Sequence, residues 1–234
     1  MTLFGTFVNV LLILIGAFIG RFLHNIPEKM KETVMYGIGL AVAAIGIQMT
    51  FESTQILIVI VSIVIGAVLG EWIDLDAKVN KLGLWIERKM PVKQKGPGLA
   101  QGFVTATLIF VVGSMAIIGS IDSGLRNDHD VLIMKGIIDG FTSIILSSTL
   151  GIGVALAAVP VFLYQGTITL FSTQISKFIP KEFMDFFIIE MTATGGLMIL
   201  AIGLNLIGIT KIRVANLIPG ILVVGVVAAI VYAL

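Results

Sequence analysis

Two carboxylates, and the polar side chains near them, are the residues of this sequence that could do chemistry. Asp139 follows Lys135 by four positions within KGIIDGFTSIILSSTLGIG, and Glu190 begins EMTATGGLMIL. Ionisable groups inside apolar stretches are expensive, and they commonly belong to substrate paths or ion sites. We therefore expect a site for an ion or a small substrate. Its predicted residues are Asp139, Glu190, Thr142, Ser143, Thr194 and Asn205.

Each carboxylate also has a structural interpretation. Lys135 stands one helical turn before Asp139 and would neutralise it in an ion pair. The helix dipole favours a carboxylate such as Glu190 near a helix N-terminus. The hydroxyls and glycines of 192–196 favour a different outcome, local unwinding that exposes carbonyl groups to a cation. The spacing of the residues leaves these alternatives open.

The composition is that of a membrane protein. Apolar residues make up 57% of the 234 residues and charged residues only 12%, and the mean hydropathy is +1.08, far from the values of soluble domains. The net charge of +1 predicts no nucleic-acid partner. There is no cysteine, the two histidines stand apart, and no hydrolase, nucleotide-binding or metalloprotease signature is present. We expect no catalytic residue, metal or cofactor, and hence a protein that is not an enzyme.

Apolar runs predict eight membrane-spanning helices in an all-α, polytopic bundle. Crossing ~30 Å of hydrocarbon takes about 20 helical residues. Runs of this length occur at 3–22, 34–51, 55–73, 99–121, 131–149, 152–175, 184–208 and 214–233. Only the glycines and hydroxyls of 147–153 interrupt the tract 131–176, so seven spans or a re-entrant segment are the alternatives. Asp139 would lie roughly 13 Å into the fifth span.

The polar insert at 74–98 predicts a cytoplasmic amphipathic helix over 75–90, followed by a linker. Apolar residues recur there at helical spacing, and Trp72 and Trp85 would lie at headgroup level. With eight spans, eleven lysine and arginine residues fall on one side of the membrane and three on the other. Because basic residues concentrate in cytoplasmic loops, both termini are predicted outside.

Internal similarity predicts an inverted repeat within a single membrane domain, 1–234. IPEKM followed by GLAVAAIGIQ resembles IPKEF followed by GLMILAIGLN, which matches Gly39 with Gly196 and Gly46 with Gly203. The predicted repeats are 1–73 and 152–234, with central helices at 99–151. An odd number of spans separates equivalent helices, so the two copies would have opposite orientations, as is usual in secondary transporters.

Two small-xxx-small sequences predict close helix packing. Gly16 and Gly20 frame one of them, and Gly66 and Gly70 frame the other. The following residues, Arg21 and Glu71, would emerge at the same face, so an ion pair is expected where the first and third helices cross. A homodimer interface is the alternative use of these glycines.

Several stretches together are similar to the YqgA/YdfK-type family of bacterial membrane proteins. They are GTFVNVLLILIGAFIGR, TATLIFVVGSMAIIGSIDSGL with KGIIDGFTSI, QGTITL, and EMTATGGLMILAIGLNL with KIRVANLIP. The resemblance covers essentially the whole chain and implies a bacterial inner-membrane location. It implies no substrate, because the family is one of unknown function.

The leading hypothesis is a secondary transporter of an ion or small solute in the bacterial inner (plasma) membrane. Asp139 and Glu190 would bind a coupling cation or proton near mid-membrane, where the fifth and seventh spans meet. The protein is expected to be surrounded by lipid and to assemble as a homodimer. The alternatives are an oligomeric ion channel and a non-transporting scaffold whose helix 75–90 recruits a cytoplasmic partner.

Overall fold

The chain folds into helices that form two compact units. The computed structural model describes residues 2–22, 28–89 and 99–233, and these contain helices and turns but no β-strand, so the predicted all-α class is confirmed. The first unit comprises Met1–Pro27 and Gly83–Pro180, and the second comprises Glu28–Leu82 and Lys181–Leu234. Each unit therefore combines distant parts of the chain.

The first unit is built on α1 and α7, which pack side by side in parallel. A Cβ atom on Gly16 would meet the carbonyl of Gly140, and one on Gly20 would meet the carbonyl of Ile144. The Ser147 hydroxyl donates to a carbonyl of α1 at 2.8 Å. Small residues thus let the two backbones touch. The helices of this unit are α1 (Phe4–Phe22), α5 (Leu99–Val111), α6 (Ser114–Arg126), α7 (Asp130–Leu150), α8 (Ala158–Leu170) and α9 (Ser172–Phe178).

The predicted fourth span, 99–121, is broken in the structure. Helices α5 and α6 meet at an angle of 60°, and Gly113 between them has a φ of +141°. Side chains with a Cβ rarely adopt that conformation, so glycine permits the bend. The sequence did not indicate this bend, because a single glycine within an apolar run gives no firm signal of a break. That the bent pair forms one span stays a prediction.

The long apolar tract 131–176 contains two span-length helical segments, in agreement with the eight-span interpretation of that region. Helix α7 ends at Leu150, and a 3₁₀ turn over Ile152–Ala157 leads into α8. Gly151 lies between them with a φ of +79°. The re-entrant alternative placed a loop inside this tract, whereas the segments 130–150 and 152–170 are each long and apolar enough to cross a membrane.

The second unit is built on α2 and α10, which pack in antiparallel order. A Cβ atom on Gly46 would lie 2.7 Å from the carbonyl of Gly196, and one on Gly39 would lie 3.1 Å from the carbonyl of Gly203. The helices of this unit are α2 (Glu28–Thr50), α3 (Ile56–Ile73), α10 (Lys181–Ile207), α11 (Gly220–Ala233) and the first half of α4 (Leu75–Lys89).

The glycines of α3 pack within this same unit. A Cβ atom on Gly66 would collide with the backbone of Gly220, and one on Gly70 would collide with the backbone of Asn216. The expected crossing with the first helix stays a prediction, whereas the partner expected for Glu71, Arg21, is corrected. Glu71 instead binds Arg213 at 2.8 Å, on the segment that precedes α11.

Six helical segments of the described residues are long and apolar enough to cross a membrane, or up to seven if the bent α5–α6 pair forms one span. The apolar part of α2, Met35–Thr50, is shorter than these. This short helix and the bent α5–α6 pair together account for the difference from the predicted eight. Large apolar side chains such as Leu11 and Phe18 are exposed on α1. The chain is thus a multi-pass membrane protein with apolar faces turned to lipid.

The predicted amphipathic helix is present as α4, Leu75–Lys89. Lys78 and Lys81 are exposed, whereas Leu75 and Val79 are half-buried. The backbone N–H of residue 76 donates to the Asn216 side-chain carbonyl at 2.7 Å, which satisfies a donor in the first turn of the helix. The end of the predicted helix and its linker, residues 90–98, lie outside the described residues.

Candidate functional site

The six predicted site residues fall on two helices in different units. Asp139, Thr142 and Ser143 lie on α7 in the first unit, and Glu190, Thr194 and Asn205 lie on α10 in the second. We describe the surroundings of each carboxylate within its own unit. The predicted meeting of the fifth and seventh spans stays a prediction.

Asp139 lies on the buried face of α7 and forms an ion pair with Lys135. The Lys135 ammonium donates a hydrogen bond to the Asp139 Oδ2, and the two side chains are only 7% and 6% exposed. Apolar residues such as Ile138 and Phe141 occupy the opposite, exposed face. Helical periodicity therefore places the pair inside the unit and the apolar residues toward lipid.

One amide lies beside this ion pair and connects it to a second amide. Asn9 of α1 is fully buried, with its backbone against Gly136 of α7, three positions before Asp139, and it donates through Nδ2 to the Gln165 Oε1 of α8 at 3.2 Å. Gln165 is also fully buried. We call the four residues Asn9, Lys135, Asp139 and Gln165 the Asp139 cluster, to which three helices contribute.

Several buried polar atoms in and near the Asp139 cluster form no hydrogen bond within the described residues. Within the described part of the chain, Asn9 Oδ1 and Gln165 Nε2 have no hydrogen-bond partner although both are buried. The same is true of the hydroxyls of Thr6, Ser143 and Thr169, which lie about one helical turn from Asn9, Asp139 and Gln165 respectively. Buried polar atoms without partners are costly, so each of them needs an explanation, such as a bound water, an ion or another polar group.

Glu190 has very different surroundings in the second unit. It is fully buried on α10, and its two oxygens accept four hydrogen bonds from the turn between α2 and α3. The donors are the Ser53 hydroxyl at 2.6 Å, the Thr54 hydroxyl and N–H at 2.8 and 2.9 Å, and the Gln55 N–H at 3.0 Å. We call Glu190 and the three residues that donate to it, Ser53, Thr54 and Gln55, the Glu190 cap.

The carboxylate of the Glu190 cap binds the turn directly before α3, including the N–H of the N-cap residue of that helix, Gln55. Backbone N–H groups at a helix start lack partners within the helix, and a carboxylate there is favoured by the dipole. The dipole interpretation, which placed Glu190 at the N-terminus of its own helix, was wrong, because Glu190 is the tenth residue of α10. Its carboxylate lies instead at the start of α3. Within the described residues no lysine or arginine forms an ion pair with it.

The alternative of local unwinding near Glu190 is wrong. Helix α10 continues without a break from Lys181 to Ile207. Thr194 donates its hydroxyl to the Glu190 backbone carbonyl at 2.8 Å, a bond that the intact helix provides. Gly196 serves the contact with α2, where it faces the backbone of Gly46.

Asn205 and Thr142 lie apart from both clusters. The Asn205 amide donates to the Ile212 carbonyl at 2.7 Å and accepts from the Thr210 hydroxyl and the Ile212 N–H at 2.7 and 2.9 Å. These bonds hold the loop that follows α10. Thr142 is half-buried beside Ser143. Of the predicted neutral oxygens, Ser143 therefore has the position best suited to a ligand.

Sequence reasoning missed Gln165 and the turn that binds Glu190. Gln165 carried a usable signal, since a primary amide in an apolar helix needs a polar partner. Ser53 and Thr54 carried none, because their partner lies more than 130 positions away in the chain.

The fold and these buried polar groups define a multi-pass helical membrane protein with an intramembrane ion pair. A family model described as a protein of unknown function (DUF554) matches residues 4–229. The chain belongs to this family, which confirms the resemblance seen in the sequence.

Two curated relatives extend over nearly the whole chain. The uncharacterized membrane protein YdfK of Bacillus subtilis (strain 168) is 36% identical over 236 residues, covering 99% of this chain and 98% of its own. The uncharacterized protein YqgA of Escherichia coli (strain K12) is 28% identical over 222 residues, covering 93% of each. No solved structure matches.

Proposed function

We propose that this protein is a secondary transporter of a small ion or solute, and that the Asp139 cluster is its coupling and binding site. The observation that carries the proposal is the buried ion pair of Lys135 and Asp139 in a span, beside polar atoms without partners. Ionisable groups inside membrane spans usually mark substrate or proton paths. A carboxylate there can take up and release a proton as the site opens to either side.

An internal two-fold relation supports the transporter class. The shift in numbering that takes Gly39 to Gly196 also takes Gly46 to Gly203. In the second unit Gly39 lies against Gly203 and Gly46 against Gly196, so a two-fold rotation between α2 and α10 would exchange these contacts. The same shift carries α3 onto α11, which also pack together in antiparallel order. Inverted repeats of this kind underlie many secondary transporters.

We also propose that the protein lies in a bacterial inner membrane and assembles as a homodimer. The distribution of basic residues favours both termini outside a bacterial inner membrane, and exposed apolar faces leave room for a homodimer. Glu190 takes no part in coupling in this scheme, because all the hydrogen bonds that it accepts hold the start of α3.

The test is solute-driven proton movement in proteoliposomes that contain an internal pH dye. A panel of small ions and solutes is added outside, and the internal pH is followed. We expect at least one solute gradient to drive proton movement in the wild type, and the Asp139→Asn variant to reduce the rate at least tenfold while remaining folded. The matched control is Glu52→Gln, an exposed carboxylate of the α2–α3 turn, which should leave the rate unchanged.

The same preparation separates the alternatives. Discrete conductance steps in planar bilayers would identify a channel, because transporter turnover is far too slow to produce them. If no solute moves in the wild type, and if neutralising Lys78 and Lys81 abolishes capture of a cytoplasmic partner, the scaffold alternative replaces transport. Equal rates for wild type and Asp139→Asn would remove the Asp139 cluster from the mechanism.

A further inference from the structure

We infer that the Asp139 cluster binds a small oxyanion, such as a short carboxylate, together with one proton. The proton neutralises Asp139 and releases the Lys135 ammonium for the anion. This inference rests on the proposed function and names the class of solute that the site would accept.

The charges of the cluster favour an anion over a metal cation. Lys135 and Asp139 together carry no net charge when both are ionised, and both are buried. A sodium or potassium ion bound there would add a positive charge beside an existing ammonium, which a buried site does not tolerate. A proton on Asp139 leaves the ammonium as the single charge of the cluster, and an anion then restores neutrality.

The unused hydrogen-bonding groups also favour an anion. An ammonium has three N–H donors, and Asp139 accepts from Lys135 in the structure. Gln165 Nε2 is a donor without a partner, and the Ser143 and Thr6 hydroxyls can each donate. Among the unpartnered atoms of the cluster only Asn9 Oδ1 is solely an acceptor. Such a set of donors matches the lone pairs of a carboxylate or similar oxyanion.

The proton balance of the binding step is simple. A proton from water forms an O–H bond on the Asp139 carboxylate, and the hydrogen bond between that carboxylate and Lys135 breaks. Lys135 stays protonated throughout, and one of its N–H groups donates to an oxygen of the anion. When the anion leaves, the proton returns to water and the ion pair forms again.

Few other charged groups lie on the elements that pack against α7, which are α1, α5, α6 and the 3₁₀ turn. Arg21 is exposed at the end of α1, and Asp122 and Arg126 of α6 pair with each other at 3.6 Å. His129, just before α7, contacts the Ser123 hydroxyl at 2.8 Å. On these described elements, the buried cation that faces Asp139 is Lys135.

The test measures anion binding and proton uptake with purified protein in a weakly buffered solution. Sodium formate and sodium nitrate are the probes, calorimetry reports binding, and a pH dye reports protons. The wild type should take up about one proton per bound anion. Asp139→Asn should bind the anion with no proton uptake and no dependence on pH between 5 and 8, because its Lys135 is already released.

A second variant keeps the inference falsifiable if single charge changes disturb folding. Lys135→Met combined with Asp139→Asn has a neutral cluster, and it differs from Asp139→Asn only in the ammonium. It should bind the probes at least tenfold more weakly. Equal binding by the two variants would overturn the inference, as would binding of glycine or of sodium ion without proton uptake.

The outcomes also distinguish this inference from the proposed function. Transport of a cation or neutral solute by proteoliposomes that bind neither probe would refute the anion site and support transport. Binding of formate or nitrate with proton uptake, but without movement of any solute across the membrane, would support the anion site and refute transport.

Discussion

Asp139 and Glu190 are each the tenth residue of a long buried helix, yet their surroundings differ in kind. Asp139 has a charged partner on its own helix, and several neighbouring side chains each have one polar atom without a partner among the described residues. Glu190 accepts four hydrogen bonds from neutral donors, two of them backbone N–H groups. Burial alone therefore does not separate a working carboxylate from a structural one.

The two carboxylates differ in whether another group can replace them as the hydrogen-bond acceptor of their partners. The carboxylate of the Glu190 cap binds the turn directly before α3, so its loss would weaken the fold. In our proposal, the Lys135 ammonium of the Asp139 cluster leaves Asp139 to bind another anion. A carboxylate whose hydrogen bonds are all formed stabilises the fold, whereas a site with unpartnered polar atoms has groups left to bind a ligand.

The largest expected effect comes from separating the charges of the Asp139 cluster. Lys135→Met alone leaves a buried carboxylate without its cation and should lower the free energy of unfolding by about 3–5 kcal/mol. Adding Asp139→Leu removes the stranded charge and should restore stability to within about 1 kcal/mol of the wild type or above it. Thermal unfolding in detergent measures both. A double variant as unstable as the single one would contradict the ion pair.

Removal of the Glu190 carboxylate should lower the free energy of unfolding by about 3 kcal/mol. No second substitution should restore it as Asp139→Leu does for Lys135→Met. Glu190→Ala removes the acceptor of four hydrogen bonds, each worth about 1 kcal/mol, and water replaces part of the loss because Thr54 and Gln55 are exposed. The unfolding midpoint of the purified protein reports the loss, and Glu52→Ala, on the exposed side of the same turn, is the matched control. Wild-type stability of Glu190→Ala would show that the cap is not needed.

Alanine substitutions at two glycines of α2 test the close packing of α2 against α10, the helix that carries Glu190. A Cβ on Gly46 would press into the backbone of α10, whereas nothing lies within 4 Å of a Cβ on Gly37. Gly46→Ala should therefore destabilise by about 2 kcal/mol, and Gly37→Ala should be neutral or stabilise by up to about 1 kcal/mol. Unfolding curves compare them, and equal behaviour would argue against the close α2–α10 contact.

The smallest effect is expected at the amides of the Asp139 cluster. Asn9→Ala removes one interhelical hydrogen bond, which is worth about 0.6 kcal/mol on average within membranes. Its effect on anion-linked proton uptake should be larger than its effect on stability, since Asn9 adjoins the carboxylate. A stability loss above about 2 kcal/mol would instead assign Asn9 a structural role like that of Glu190.

Sequence reasoning predicted the parts of this structure that depend on local pattern. Apolar runs located the span-length helices, and the four-residue spacing of Lys135 and Asp139 made their ion pair an explicit alternative. The bend at Gly113 was missed because the surrounding residues are apolar on both sides. The partners of Glu190 and Glu71 were missed or misassigned because contacts between distant segments leave no trace in spacing.

The division of the chain between the two units has a consequence for synthesis. Helix α2 and the turn at Ser53 and Thr54 are made early, but their partner α10 begins at Lys181. At about 5–20 residues per second, the ribosome needs on the order of ten seconds to reach it. During that interval the glycine face of α2 and the donors of the turn must be shielded by lipid, by the insertion machinery or by a temporary partner. Slowed translation between α3 and α10 should therefore increase degradation of the nascent protein.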